Sequence, residues 1–200
     1  MVAGETVRWG EQVMPDTARR HRAAVNQRVT PAKIVVAGGS GMGKDSFIES
    51  VSDVGQLTAE VPVPASDQPE LEPDRVPITF GRIAVNSELV LYLFGAPDQT
   101  RFQFVLDELT HGAVGAIVLV DTEHLAAARA ATDFFEQGGM PYLVALNDID
   151  RVQDVRAALR IGADIPVLRC DVTSRESTRQ VLVSLLEHSL AGRPPVPARA

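Results

Sequence analysis

Residues 38–44, Gly38-Gly39-Ser40-Gly41-Met42-Gly43-Lys44, follow the spacing G-x-x-x-x-G-K. Glycines let the backbone curl until successive N–H groups point inward at a diphosphate, and a terminal lysine reaches its β and γ phosphates. A helix opening after the last glycine adds the partial positive charge of its N-terminus. Only two of the 19 basic residues are lysines, Lys33 and Lys44, so an ammonium at position 44 is an uncommon choice for this chain. The following position departs from the pattern. A hydroxyl side chain there would bind Mg²⁺ beside the phosphates, whereas this chain has Asp45, followed by Ser46. A carboxylate is a hard oxygen ligand that can hold Mg²⁺ directly, and it can equally set negative charge against the phosphates. Asp45 and Ser46 are therefore the candidate cation ligands, and Gly38 to Ser46 the candidate phosphate site.

Alternating strands and helices must position that loop. Ile34 to Ala37 is a short apolar, β-branched run ended by glycines, and Phe47, Ile48 and Val51 then recur on one side of a helix. Residues 52–78 hold five prolines and six acids against one arginine, which predicts a loop with at most short extended pieces. Strands are expected near 76–85 and 88–94 around an Asn86-Ser87 turn. A helix follows over 99–112, where Phe102, Val105, Leu106 and Leu109 keep helical spacing. Strand 115–121, helix 122–137, strand 142–147, helix 151–161, strand 166–170 and helix 174–190 complete the series. This pattern predicts an α/β fold: a mainly parallel six-stranded sheet with helices on both faces, and ligands beyond the carboxyl ends of its strands. Residues 1–32, with Trp9 and the basic cluster Arg19, Arg20, His21 and Arg22, read as a partly disordered N-terminal extension. Residues 33–191 form the domain, and 192–200, with three prolines, a flexible tail.

Composition narrows the function classes. The 200 residues are 45% hydrophobic and 22% charged, the balance of one globular domain. A net charge of −7 argues against a general nucleic-acid binder. No apolar run is long enough for a transmembrane segment, and Glu5, Arg8 and Glu11 interrupt any signal-peptide pattern. The single cysteine, Cys170, excludes an intrachain disulfide and a cysteine-based zinc site. A cytoplasmic location is expected.

Six segments together resemble the bacterial Ras-like small GTPases, and among them the conservon-type GTP-binding proteins related to gliding-polarity GTPases. These are KIVVAGGSGMGK at 33–44, FGRI at 80–83, LYLFGAPDQTRF at 91–102, GAIVLVDT at 115–122, LNDID at 146–150 and VLRCDV at 167–172. The resemblance implies a Ras-like P-loop NTPase fold and GDP or GTP as ligand. It implies that Asn147-Asp148-Ile149-Asp150 stands for the family's Asn-Lys-x-Asp element. Asp150 would accept hydrogen bonds from guanine N1–H and the 2-amino group, Asn147 would tie this loop to the phosphate loop, and Asp148 replaces the lysine. Cys170, Asp171 and Val172 fall where the family makes backbone contacts to the base. Gln99 falls on the water-orienting glutamine, and Asp98 on a glycine whose N–H meets the γ phosphate. No threonine stands where the first switch supplies one to Mg²⁺, since Thr58 follows the first helix too closely and Thr79 lies too far into a strand.

Other residues read as structural. Asp121 and Glu123 end a strand and cap a helix, Arg75 and Arg101 are surface arginines, and His111, His124 and His188 sit on separate helices without metal-site spacing. Three functions compete. The first is a cycling GTPase switch. The second is a G-protein fold with degenerate Mg²⁺ and γ-phosphate elements, holding GDP or no nucleotide and serving as a scaffold. The third, an ATP-dependent P-loop enzyme, lacks an acceptor-binding lid. By resemblance the partner would be a roadblock-type regulatory protein, with a membrane sensor-kinase complex.

Overall fold

Strand β1 (Thr30–Ala37) has Ile34, Val35, Val36 and Ala37 in succession, each at 2% exposure or less. A run apolar on both faces suits only a strand covered from both sides. In the computed structural model, which describes residues 29–63, 74–97, 103–121, 124–147 and 152–191, β1 is the centre of the sheet. It is followed by α1 (Lys44–Val51), β2 (Leu57–Val63), β3 (Asp74–Ala84), β4 (Leu89–Gly95), α2 (Gln103–Thr110) and β5 (Ala113–Val120). Then come α3 (Leu125–Gln137), β6 (Tyr142–Leu146), α4 (Val152–Leu159), β7 (Val167–Arg169) and α5 (Arg175–Ala191).

The sheet order is β2-β3-β4-β1-β5-β6-β7. Strands β4, β1, β5, β6 and β7 run parallel, and β2 and β3 are antiparallel additions. From β1 the chain builds outward to β4 and then crosses to β5 on the other side. With right-handed crossovers this reversal sends the helices to opposite faces. Helices α1 and α5 pack together, and so do α3 and α4. The reversal opens a crevice at the carboxyl end of β1, where a ligand site belongs.

The sequence predicts six strands, and the described residues form a sheet of seven. The additional one, β2, lies in the stretch expected to be a loop. Prolines misdirect here because the two in the described part of that stretch, Pro62 and Pro77, fall where a missing N–H is tolerated. Pro62 is on the edge strand, and Pro77 lies in the part of β3 beyond its pairing with β4, which spans Phe80 to Ala84. Strand β1 also starts at Thr30, three residues before the expected boundary.

Close approach of α1 to β3 fixes Gly81. An ideal Cβ there would lie 2.5 Å from Ile48 Cγ2 and 3.3 Å from Ser52 Cβ. Beside it Ser52 Oγ accepts the Arg82 N–H at 3.2 Å and donates to the Arg82 carbonyl at 3.4 Å. Gly81→Ala should therefore destabilise the fold by about 1–3 kcal/mol, the usual cost of forcing one extra group into a packed core. Urea unfolding with an unchanged slope would read the loss; unchanged stability would show that α1 does not bear directly on β3.

Candidate functional site

The loop between β1 and α1 is shaped by glycines that no other residue could replace. Gly43 has φ +83°, caps α1 in the left-handed region, and would place a Cβ 2.8 Å from Val172 Cγ2. Gly38, at φ +147°, would place one 2.9 Å from the Leu119 carbonyl oxygen. Both conformation and space exclude side chains there. Met42 is buried beneath the loop, and the Gly39 N–H donates to its thioether. Ser40 and Gly41 remain exposed at the crest.

Lys44 folds back over this loop. Its Nζ donates to the carbonyls of Gly38 at 3.0 Å and Gly39 at 2.8 Å. The first intrahelical bond of α1 runs from the Phe47 N–H to the Gly43 carbonyl at 2.8 Å, so the N–H groups of the first turn have no acceptor within the helix. An ammonium, a helix N-terminus and a curled backbone therefore converge where a diphosphate would sit, and the residues present fit that group. The other lysine, Lys33, is half-buried near the start of β1. Burial lowers its pKa, and Glu108 partly offsets this.

The cation side is different. Thr79 is buried in β3, and its Oγ1 donates to Asp45 Oδ1. Gly95 makes room for this contact, because a Cβ there would lie 3.3 Å from Thr79 Cβ and 3.4 Å from Ile48 Cδ1. The Mg²⁺ that the fold implies would meet a carboxylate already bonded to a neighbouring hydroxyl. Ser46 is half-buried one residue further along α1. Among the described residues no group of three or more His, Cys, Asp or Glu could hold a metal ion. This donor set does not match the hydroxyl-based Mg²⁺ site of the fold. Thr79, expected to lie too far into its strand to serve Mg²⁺, donates its hydroxyl to Asp45 instead.

At the carboxyl ends of β6 and β7, the Asn147 N–H donates to the Val120 carbonyl, and the Cys170 N–H to the Leu146 carbonyl, each at 2.8 Å. Val172 packs on Gly43, so the 170–172 turn touches the phosphate loop. Burial pushes the Cys170 thiol up to about 11, which makes it an inert packing group. Asp171 Oδ1 accepts the Thr173 hydroxyl at 2.7 Å and the Thr173 N–H at 2.9 Å. Those bonds, the hydroxyl first, hold its carboxyl below the usual aspartate range. Asp98, Gln99, Arg101, Glu123, Asp148 and Asp150 lie outside the described residues.

One pairing was not foreseen as part of the site. His124 Nδ1 lies 2.9 Å from both Asp121 carboxylate oxygens, and Asp121 Oδ1 also accepts the His124 N–H at 2.8 Å. Asp121 thus holds the N-cap residue itself, whereas the helix-capping bond expected of it is not made: His124 is the N-cap of α3, with no side-chain cap bond. The pairing also sets His124 against the phosphate loop, where a Cβ on Gly39 would lie 3.1 Å from His124 Cβ. The only sequence signal is an i, i+3 Asp–His spacing after a strand. Arg75 pairs with Glu60 at 3.5 Å on the exposed surface, as expected. A cleft of about 630 Å³, lined by Glu108, His111, Phe134 and Met140 among others, contains none of the predicted site residues.

The strand order, the glycine loop at the sheet's switch point and the folded-back lysine define a P-loop NTPase fold of the G-domain type. Residues 76–192, more than half of the chain, match the family described as "Conserved hypothetical ATP binding protein", and the chain belongs to that family. The match begins after the phosphate loop. Among solved structures, the G domain of the T. maritima FeoB iron transporter is 18% identical, with a TM-score of 0.58 over 80% of this chain and 99% of that one. The cytosolic domain of the same transporter, in a GDP form, is 15% identical with a TM-score of 0.59, over 84% of this chain and 66% of that one. No curated protein matches the chain. At these identities the likeness concerns the fold. No helix among the described residues is long and apolar enough to cross a membrane.

The Asp171 turn makes a pH prediction. Because its folded pKa is depressed, its bonds favour the fold above the ordinary aspartate pKa of about 3.9. That contribution is lost as pH falls through the lower folded value. An NMR carboxyl titration should give Asp171 a midpoint below the ordinary value, and Thr173→Val should move it upward. A midpoint unchanged by Thr173→Val would show that the turn does not hold the carboxylate.

Proposed function

We propose that this protein binds guanine nucleotides, favours GDP over GTP, and hydrolyses GTP poorly, acting as a signalling module of the Ras-like type. The observation that carries the reading is Lys44 folded over the glycine loop at the carboxyl end of β1, with Val172 packed against Gly43. Retained diphosphate elements support GDP. The departures cluster on the γ-phosphate and Mg²⁺ side, at Asp45 and Asp98. Two unit charges about 4 Å apart repel by roughly 4 kcal/mol at an effective dielectric of 20. GDP lacks the γ phosphate and avoids the charge at Asp98. Gln99 would orient water in any residual hydrolysis. The finer reading is a conservon-type protein working with a roadblock-type partner and a membrane sensor-kinase complex; it rests on the six-segment resemblance.

Guanine is favoured by Asn147 and Asp150, since adenine offers no donor pair to a carboxylate. A second reading, adenine nucleotide, is favoured by the family description, which specifies ATP. Calorimetry separates them: GDP should bind more tightly than ADP and GTP. Asp150→Asn should weaken GDP by about 2–3 kcal/mol, the scale of a charged hydrogen bond, and improve xanthosine diphosphate. Equal binding of ADP and GDP would sink the guanine reading.

The phosphate side has its own test. Lys44→Ala should weaken any nucleoside diphosphate by at least about 2 kcal/mol while circular dichroism stays unchanged, since Lys44 is only half-buried and contacts its own loop. Unchanged affinity would make the loop a mere turn.

A further inference from the structure

We propose that the Thr79–Asp45 hydrogen bond replaces the Mg²⁺ bridge of this fold, tying α1 directly to β3 so that a nucleoside diphosphate is held without a divalent cation. In a P-loop protein the residue after the lysine offers a hydroxyl to Mg²⁺, and the ion links the first turn of the helix to the phosphates. Here the roles of the two residue types are exchanged. The helix supplies the carboxylate, and the strand supplies a hydroxyl that donates to it.

Three features belong together in this arrangement. Thr79 is buried at 9% exposure, so its hydroxyl needs a local acceptor. An ionised carboxylate accepts without donating, so Asp45 is the complement of that hydroxyl. Gly95 leaves the space that the pair requires, since any Cβ would press on Thr79 and Ile48. A neutral hydroxyl at position 45 would still bond Thr79, but it would leave an oxygen for Mg²⁺ without the charge beside the phosphates. The carboxylate makes the tie independent of metal. It also makes the position of β3 against α1 independent of the phosphate number of the nucleotide, because no ion passes the phosphate's presence on to the strand.

The mechanical half of the proposal stands on its own; the cation half rests on the diphosphate reading above. The experiment therefore has two arms on the full chain. In the first, nucleotide-free protein in EDTA is melted. Thr79→Val should lower the melting temperature by about 2–6 °C, the range for one such bond in a domain of this size, and Thr79→Ser should recover most of it. A Thr79→Val chain melting with the natural one overturns the tie. In the second arm GDP is titrated in EDTA and in excess Mg²⁺. The natural chain should show affinities within about threefold of each other, whereas Asp45→Ser should gain about tenfold or more on adding Mg²⁺, about 1.4 kcal/mol per tenfold. A tenfold Mg²⁺ dependence in the natural chain overturns the metal-free proposal. Failure of GDP to bind in either buffer, with the Thr79→Val loss intact, sinks the nucleotide reading and supports the tie alone.

Discussion

Burial of the second half of β1, Ile34 to Ala37, is the constraint on which the rest of the molecule depends. Ile34, Val35 and Val36 are inaccessible, and the strand is paired on both edges, to β4 and to β5. Each such side chain contributes about 1.5–3 kcal/mol relative to exposure, but only if helices cover both faces of the sheet. The chain meets that demand by building outward from β1 in two directions. The reversal leaves the loop after Ala37 without a helix crossing over it. The crevice is thus a by-product of covering the strand, and the glycine loop occupies the position that the covering leaves open.

Within that opening the loop is held from three sides. Leu119 of β5 presses on Gly38, Val172 on Gly43, and His124, held by Asp121, on Gly39. The contacts come from β5, from the turn after it and from the turn after β7, so the loop's shape is set by the sheet order and not by its own sequence alone. Lys44 completes it by bonding to carbonyls that a curled loop points away from its N–H groups. A phosphate arriving at the N–H side finds the backbone already shaped, which is the pre-organisation that saves ordering cost on binding.

Most of this was legible in the sequence because burial and spacing leave direct marks. The run KIVVA, the G-x-x-x-x-G-K spacing and the 3.6-residue periods of the helices located the central strand, the loop and the helices on either side. Features that arise from the packing of elements leave no such mark. Strand β2 is masked by prolines, Pro62 on the edge strand and Pro77 in the part of β3 that β4 does not pair, placements visible only once the strands are registered. Position along a strand does not reveal that Thr79 meets Asp45, because that contact depends on how closely α1 lies against β3, a distance set by Gly81 and Gly95. Sequence spacing does not encode a gap of that kind between elements. The role of His124 likewise depends on a glycine 85 positions earlier in the chain lacking a side chain.

The glycines of β3 and β4 then acquire a common explanation. Gly81 and Gly95 both lie under Ile48, on strands that neighbour each other, and neither needs an unusual backbone angle. Glycine inside a strand costs stability through chain entropy, so two under one helix call for a return. The return is the approach of α1 itself, which brings Ser52 onto the backbone of Arg82 and Asp45 onto Thr79. Side chains at 81 and 95 would lift the helix from the sheet and break both contacts together. In this fold, then, the acid after the lysine is not an isolated loss of a hydroxyl ligand. It is one member of a packing unit, with Thr79, Gly95, Gly81 and Ile48, in which the close approach of α1 to β3 brings the carboxylate within reach of the strand's hydroxyl.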